Sequence, residues 1–151
     1  MPSPRILTLC FVGLLVAGCS FVETTPPSPT PADFGDTATG LAKRGLQIDH
    51  VVSGDAGCAD RVLAPTAIAF NASGLDQATP VKVYLYVFAD RATFERLRAT
   101  VDACAKTYVT DPNTYQAIEQ SPFVLSGQGP WGRAFEAALR AGLLEAAGTG
   151  G

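Results

Sequence analysis

The sequence contains few of the residues that most often build metal centres and catalytic sites. It has one histidine and four cysteines, and the cysteines are far apart in the chain. A structural zinc site needs about four His or Cys ligands at close, regular spacings, which this sequence does not offer. No Gly-x-Ser-x-Gly nucleophile motif occurs in it. The sequence therefore predicts no metal, no cofactor and no enzymatic activity.

Long hydrophobic runs and basic clusters are also missing. The apolar stretch from Ile6 to Ala17 is about 12 residues long, whereas a helix needs roughly 20 to cross the bilayer hydrocarbon. The basic residues are scattered, and the net charge is −3. The sequence therefore predicts neither a permanent transmembrane helix nor nucleic-acid binding.

The apolar stretch has the features of an export signal. Arg5 precedes it, and small residues follow it. It ends in Val16-Ala17-Gly18-Cys19, which resembles the lipobox of bacterial membrane lipoproteins. The resemblance implies a signal peptide at residues 1–18, acyl chains such as palmitate on the Cys19 sulfur, and attachment to the extracytoplasmic face of the bacterial cell membrane. The alternative is an ordinary secretory signal that is cleaved elsewhere and releases the protein.

The segment after Cys19 has the composition of a tether. It contains a Pro/Thr/Ser run between Thr24 and Pro31, which cannot build a core and favours extended polyproline II. We expect the lipidated cysteine and tether to occupy residues 19–40, a single globular domain residues 41–147, and a disordered tail residues 148–151. The remaining length suits one domain.

Two cysteines remain for the folded part, Cys58 and Cys104. In an exported protein such a pair predicts a disulfide. Closing a loop of about 46 residues would stabilise the fold by roughly 4 kcal/mol in the chain-entropy treatment. The alternative is two separate buried thiols.

Residues Val81 to Phe88 have the clearest strand pattern. Val81, Val83, Leu85 and Val87 alternate with Lys82, Tyr84, Tyr86 and Phe88. Large side chains on both sides predict a central strand that is covered on each face. Asp90 can cap a following helix, whose inward stripe would contain Phe94, Leu97, Val101, Cys104 and Tyr108.

The remaining patterns complete an α+β domain. A helix from Asp36 to Arg44 precedes a strand in which Leu46, Ile48, His50 and Val52 share one face. Residues 58–64 favour a short helix, and a last helix begins at Pro130 with the stripe Trp131, Phe135, Leu139 and Leu143. We predict two layers, with helices on a mostly antiparallel sheet. A ferredoxin-like arrangement is one interpretation of residues 67–125.

The run Gly127-Gln128-Gly129-Pro130-Trp131-Gly132 matches Gly-x-Gly-x-x-Gly literally. In dinucleotide-binding folds such glycines let a pyrophosphate approach a helix N-terminus. Pro130 removes one amide that the phosphate would need. The run therefore indicates a turn between a strand and a helix, with weak anion binding at the helix end as the alternative.

Four side chains are candidates for a ligand-facing surface: His50, Tyr84, Tyr86 and Trp131. A strand at residues 46–52 would direct Asp49 and His50 to opposite faces, which argues against a catalytic triad. The tyrosines share one face of the central strand and could stack against a ligand. The alternative for each is an ordinary core side chain.

These observations favour a non-enzymatic, lipid-anchored binding or interaction module of the cell envelope. Its partners would be the membrane, through Cys19, and an unknown protein or envelope component. One alternative is an envelope hydrolase with His50 as the base. Another is a structural accessory subunit of a membrane complex.

Overall fold

The computed structural model of the chain describes residues 34–149. The lipobox with Cys19 and most of the predicted tether lie outside these residues. The described part contains three α-helices and five strands: α1 Phe34–Lys43, β1 Gln47–Ser53, β2 Ala67–Gly74, β3 Gln77–Val87, α2 Arg91–Ala105, β4 Tyr115–Gln120, β5 Phe123–Gln128 and α3 Arg133–Thr149.

The five strands form one sheet in the order β1-β2-β3-β5-β4. Every neighbouring pair is antiparallel. Because β5 lies between β3 and β4, the unit β3-α2-β4 is a split βαβ motif. The predicted α+β class with an antiparallel sheet is confirmed.

Helices cover both faces of this sheet. Val83, Leu85 and Val87 of β3 belong to a core with α1 and α3, whereas Tyr84 and Tyr86 belong to a second core with α2. The side chains of β3 therefore alternate between the two cores, as the sequence pattern predicts. The helices form one layer on each side of the sheet, instead of the single helical layer predicted. The ferredoxin-like arrangement is not confirmed.

Apolar side chains of α1 and α3 fill the first core. Phe34 and Leu41 of α1 are buried together with Phe135, Leu139 and Leu143 of α3. The helix predicted from Asp36 to Arg44 thus begins at Phe34 and ends at Lys43, and residues 34–40 belong to the folded domain rather than to the tether. The last helix begins at Arg133 rather than Pro130, so it carries Phe135, Leu139 and Leu143 of the predicted stripe, and Trp131 precedes it. None of the described helices is long and apolar enough to span a membrane.

The edge strand β1 departs from the predicted alternation at His50. The register to β2 shifts between Asp49 and Val52, which is a β-bulge that changes the side-chain parity. His50 has φ of 50°, and its side chain is 78% exposed. His50 therefore does not face the core, contrary to the sequence pattern.

Helix α2 begins as predicted at Asp90, whose carboxylate accepts a hydrogen bond from the Thr93 amide at 2.7 Å. Such a cap satisfies an otherwise free N–H group of the first turn. Val101 and Cys104 are buried in the second core, so the predicted stripe is confirmed. The helix ends at Ala105, and Tyr108 lies in the segment that follows it.

The connection from β1 to β2 is a series of turns rather than the predicted helix at residues 58–64. Asp60 accepts hydrogen bonds from the amides of Val62 and Leu63 at 2.8 and 2.9 Å. These are local aspartate-to-backbone bonds that compete with helix formation. A single 3-10 turn at Ala64–Thr66 then leads into β2.

Candidate functional site

A cleft opens on the α2 side of the sheet, where the pairing between β3 and β5 ends. Its volume is about 430 Å³, within the range of small-molecule sites in proteins. The antiparallel register pairs Val83 with Gly127. Lys82, which precedes Val83, and Gln128, which follows Gly127, are therefore neighbours. We call it the tyrosine cleft; its lining residues are Val81, Lys82, Tyr84, Tyr108, Gln128 and Gly129.

Two stacked tyrosines contribute the aromatic surface of the tyrosine cleft. The ring centroids of Tyr84 and Tyr108 are 4.2 Å apart, and their planes are inclined by 31°. Tyr84 is 6% exposed, whereas Tyr108 is half-buried. The Tyr108 hydroxyl lies 2.8 Å from Ser126 Oγ in a hydrogen bond. Burial raises the pKa of both phenols, so both rings are neutral at physiological pH.

Gly57 lies directly against both rings. Its φ of +75° belongs to the left-handed region that favours glycine. A Cβ atom at this position would lie 2.8 Å from Cε1 of Tyr84 and of Tyr108, closer than van der Waals contact allows. Glycine is therefore required here for both the backbone conformation and the close approach to the tyrosines.

An ion pair lies beside the rings. Lys82 Nζ is 3.0 Å from Asp55 Oδ2 and 5.4 Å from the centroid of the Tyr84 ring, within cation–π range. Partial burial acts to raise the pKa of Asp55, but hydrogen bonds from the Gly57 amide and Lys82 outweigh it, and the pKa is lowered. The hydrogen bond to Asp55 raises the pKa of Lys82. The lysine charge is therefore balanced inside the cleft.

Gln128 contributes a positioned carboxamide. Its Oε1 accepts hydrogen bonds from the Thr110 amide at 3.1 Å and from Thr110 Oγ1 at 3.2 Å. The carboxamide nitrogen keeps its two donor hydrogens. The neighbouring Gly129 amide donates to the Thr114 carbonyl at 2.6 Å. The Gly129 amide is therefore already paired within the fold, whereas the Gln128 carboxamide nitrogen faces no partner among the described residues.

The predicted disulfide between Cys58 and Cys104 is confirmed. It joins the β1–β2 connection to α2, with the two Cα atoms 5.5 Å apart. Next to it, the buried Tyr86 hydroxyl donates to the Ala56 carbonyl at 2.8 Å, and Thr107 Oγ1 donates to the Gly57 carbonyl at 2.7 Å. These contacts hold residues 55–58 against the tyrosines.

Of the four predicted ligand-facing side chains, only Tyr84 lines the tyrosine cleft. Tyr86 is fully buried, and burial raises its pKa far above the ordinary tyrosine value. Trp131 is 6% exposed, and its ring contacts Phe135 edge-on in the first core. Both are core side chains rather than ligand-facing ones. His50 is exposed on β1, away from the residues that line the cleft.

Asp49 and His50 are brought together, although the sequence pattern separates them. His50 Nδ1 lies 2.5 Å from Asp49 Oδ1, because the bulge turns both side chains to the same side. This contact lowers the pKa of Asp49. Across residues 34–149, no Ser, Thr or Cys side chain is hydrogen-bonded to His50. The pair thus has the base and the orienting group of a triad without a nucleophile.

The glycine run leads into α3, but a side chain of the chain itself occupies the helix N-terminus. Asp76 accepts hydrogen bonds from the amides of Ala134 and Phe135, each at 2.9 Å. The same bonds lower the pKa of Asp76. The amides that would bind a phosphate are therefore used within the fold, which argues against the anion site considered from the sequence.

A second cleft of about 440 Å³ lies beside the C-terminal part of α2. Arg98 joins Asp102 at 2.5 Å and Glu119 at 2.6 Å, and the Tyr115 hydroxyl donates to Asp102 at 2.7 Å. These contacts attach α2 to β4. The arrangement is explained by the packing of the two elements.

Few reactive groups lie near the tyrosine cleft in the described part of the chain. Within the described range, no group of three or more His, Cys, Asp and Glu side chains could hold a metal ion. Lys82 is paired with Asp55, and the phenols of the cleft have raised pKa values.

The sequence does not predict several of the lining residues. Its pattern places Lys82 on the same face as Tyr84, but the partner Asp55 lies 27 residues away in sequence. Gln128 falls within the glycine run, which indicates only a turn. The spacing of Tyr108 predicts a place in the core stripe of α2, but that helix ends at Ala105. The period-two pattern of β3 is the one signal that points to this surface.

No family model matches the chain, and comparisons with curated proteins and with solved structures find no match. Function is therefore inferred from the site itself.

Proposed function

We propose that the protein is a non-enzymatic binding module, anchored by lipid to the extracytoplasmic face of a bacterial membrane, and that the tyrosine cleft is its binding site. The Cys58–Cys104 disulfide carries this proposal. Disulfides persist in oxidising compartments outside the cytosol. The lipobox-like sequence before Cys19 supplies the means of attachment, and the proline-rich residues that follow supply the spacing from the bilayer.

The geometry of the cleft supports a binding role. It combines a partly exposed aromatic ring, a positioned carboxamide and a lysine paired with Asp55 around a volume of about 430 Å³. Concave sites with apolar surface and a few placed polar groups are the usual form of small-molecule sites. The disulfide and the hydrogen bonds of residues 55–58 hold this arrangement in place before any ligand arrives, which lowers the entropic cost of binding.

The anchor is tested by a Cys19→Ser variant expressed in a bacterial host. We expect the wild-type protein in the membrane fraction, with an N-terminal mass that fits an acylated Cys19. Two or more acyl chains are needed for stable attachment, so Cys19→Ser should be released or stay unprocessed. Cys10→Ser is the matched control, since Cys10 lies in the predicted signal peptide. A native protein that retains residues 1–18 would contradict the anchor.

The binding role is tested separately by thermal unfolding in the presence of a cell-envelope extract. A ligand that binds only the folded state raises Tm. We expect the rise with the wild-type chain and with Tyr108→Phe, and no rise with Tyr108→Ala. An equal rise for all three chains would place the binding site elsewhere.

The contact between Asp49 and His50 favours a second candidate, an envelope hydrolase with His50 as the base. A substrate or a partner would then have to supply the nucleophile that the exposed Asp49–His50 pair lacks. The third candidate, an accessory subunit of a membrane complex, predicts a stoichiometric partner that co-purifies from native membranes.

A further inference from the structure

We propose that the tyrosine cleft takes a neutral saccharide. The inference rests on the proposed binding function and names the ligand class of the same site. Sugar rings have apolar C–H faces and an edge of hydroxyl groups. They therefore fit a surface where an aromatic ring lies next to hydrogen-bond donors and acceptors.

The apolar part of this surface comes from Tyr108. Tyr108 is half-buried, and its hydrogen bond to Ser126 keeps the ring in one orientation. The Tyr84 ring packs against the Tyr108 ring at a centroid distance of 4.2 Å. A fixed ring loses little side-chain entropy when a ligand stacks on it.

The polar part comes from neighbouring strands. Lys82 has three donor hydrogens, and the contact to Asp55 uses one of them. Gln128 adds a carboxamide whose oxygen is already bonded to Thr110. Adjacent hydroxyl groups of one sugar ring can accept from Lys82 and from Gln128, since these residues lie next to the terminal Val83–Gly127 pair of the β3–β5 register and both line the cleft.

The charge balance argues against an anionic ligand. An anion would have to compete with Asp55 for Lys82, and the Asp55 carboxylate would remain beside it. The Gly57 amide holds Asp55 in place at 2.9 Å, so the carboxylate does not readily move away. A cationic ligand would have to compete with Lys82 for Asp55, and the Lys82 ammonium would remain beside it. A ligand without net charge avoids both costs.

The test is a glycan array with neutral and acidic members, probed with the full chain in a detergent that has no sugar head group. The strongest neutral glycan is then titrated at low and high salt. We expect its affinity to be unchanged by salt, because screening acts on charged ligands. We expect Tyr108→Ala to lower the affinity at least about tenfold and Tyr108→Phe to change it less than about threefold.

Gln128→Ala gives a second measurement that does not alter the aromatic pair, and we expect it to lower the affinity about fivefold. Thermal unfolding checks that each variant is folded. A preference for acidic glycans with salt-dependent affinity, binding that survives Tyr108→Ala, or no binding to any neutral glycan would each overturn the saccharide assignment. None of these outcomes affects the lipid anchor, which depends on the Cys19 measurement.

Discussion

The two faces of the sheet are stabilised in different ways. On the first face, α1 and α3 bury Phe, Leu and Val side chains in a continuous apolar core. On the second face, a single helix covers tyrosines, and a disulfide attaches the β1–β2 connection to it. Both faces bury apolar side chains, but the second face adds hydrogen bonds from tyrosine hydroxyls and one covalent bond.

The polar tips of the tyrosines explain this difference. Tyr86 donates to the Ala56 carbonyl, Tyr108 shares a hydrogen bond with Ser126, and Tyr115 donates to Asp102. A buried hydroxyl without a partner would destabilise the fold. The segments that supply the hydrogen-bond partners of these hydroxyls must therefore be held in place. The tyrosine cleft lies beside Tyr84 and Tyr108, where these segments no longer cover the sheet.

Loss of the disulfide should give the largest change and affect the α2 face. A chain with Cys58→Ala and Cys104→Ala should be less stable by roughly 4 kcal/mol in the chain-entropy treatment. Urea denaturation measures this difference, and hydrogen exchange should show loss of protection first near residues 55–58. The wild-type chain treated with reductant should match the variant. Equal loss of protection on both faces would show that they unfold as one unit.

Leu139→Ala tests the α1/α3 face. Leu139 is fully buried in the first core, and truncating such a side chain costs about 3 kcal/mol. Leu144→Ala on the same helix is the matched control, because Leu144 is 58% exposed and should change little. The tyrosine cleft should keep its ligand affinity in both variants. A loss of affinity in Leu139→Ala would mean that the two faces are coupled.

Gly57→Ala should cost about 1–2 kcal/mol from the left-handed backbone conformation, with further strain from contact with the tyrosines. Gly54→Ala is the control, since Gly54 has a similar φ of +83° but no atom within 4 Å of a Cβ there. Near-ultraviolet circular dichroism should report displaced tyrosines for Gly57→Ala only. Equal spectra for the two variants would contradict the close packing of residues 55–58.

Asp76→Asn tests the electrostatics of the α3 N-terminus. Hydrogen bonds from the amides of Ala134 and Phe135 lower the pKa of Asp76 in the folded protein. The stabilisation is therefore present above the unfolded-state pKa of about 3.9 and is lost as the pH falls through the lower folded-state pKa. Denaturation midpoints should differ between wild type and variant at neutral pH and converge in acid. A constant difference would contradict this assignment.

His50→Ala should have the smallest effect. The side chain is 78% exposed, so stability should stay within experimental error. Profiling with ester, peptide and glycan substrates tests the hydrolase alternative at the same time. Activity of the wild-type chain that His50→Ala abolishes would support the hydrolase and count against a non-enzymatic role.

Local patterns predicted much of the fold. The alternation in β3 gave both faces correctly, and the spacing of Phe94, Leu97, Val101 and Cys104 gave the buried side of α2. The disulfide prediction followed from counting the cysteines of a chain that the sequence predicts to be exported. In these cases the information lies within one element or in residue type.

The candidate site depended on contacts that no local pattern encodes. The bulge at His50 adds a residue to β1 and reverses the predicted parity. Asp55 meets Lys82 only after the β1–β2 connection has folded over β3. Likewise, Asp76 and the amide of Ala134 are 58 residues apart. Such contacts follow from the tertiary arrangement and not from sequence spacing.

Asp76 lies between β2 and β3 in sequence, but its carboxylate binds the first amides of α3. This contact shows when a glycine run does not indicate an anion site. A carboxylate that belongs to the same chain competes for the helix amides at an effective concentration in the millimolar range or above. A free phosphate group would have to displace it before binding. A glycine-rich turn therefore indicates a nucleotide site only when the fold leaves its amides without an internal anion, and here Asp76 already serves as that anion.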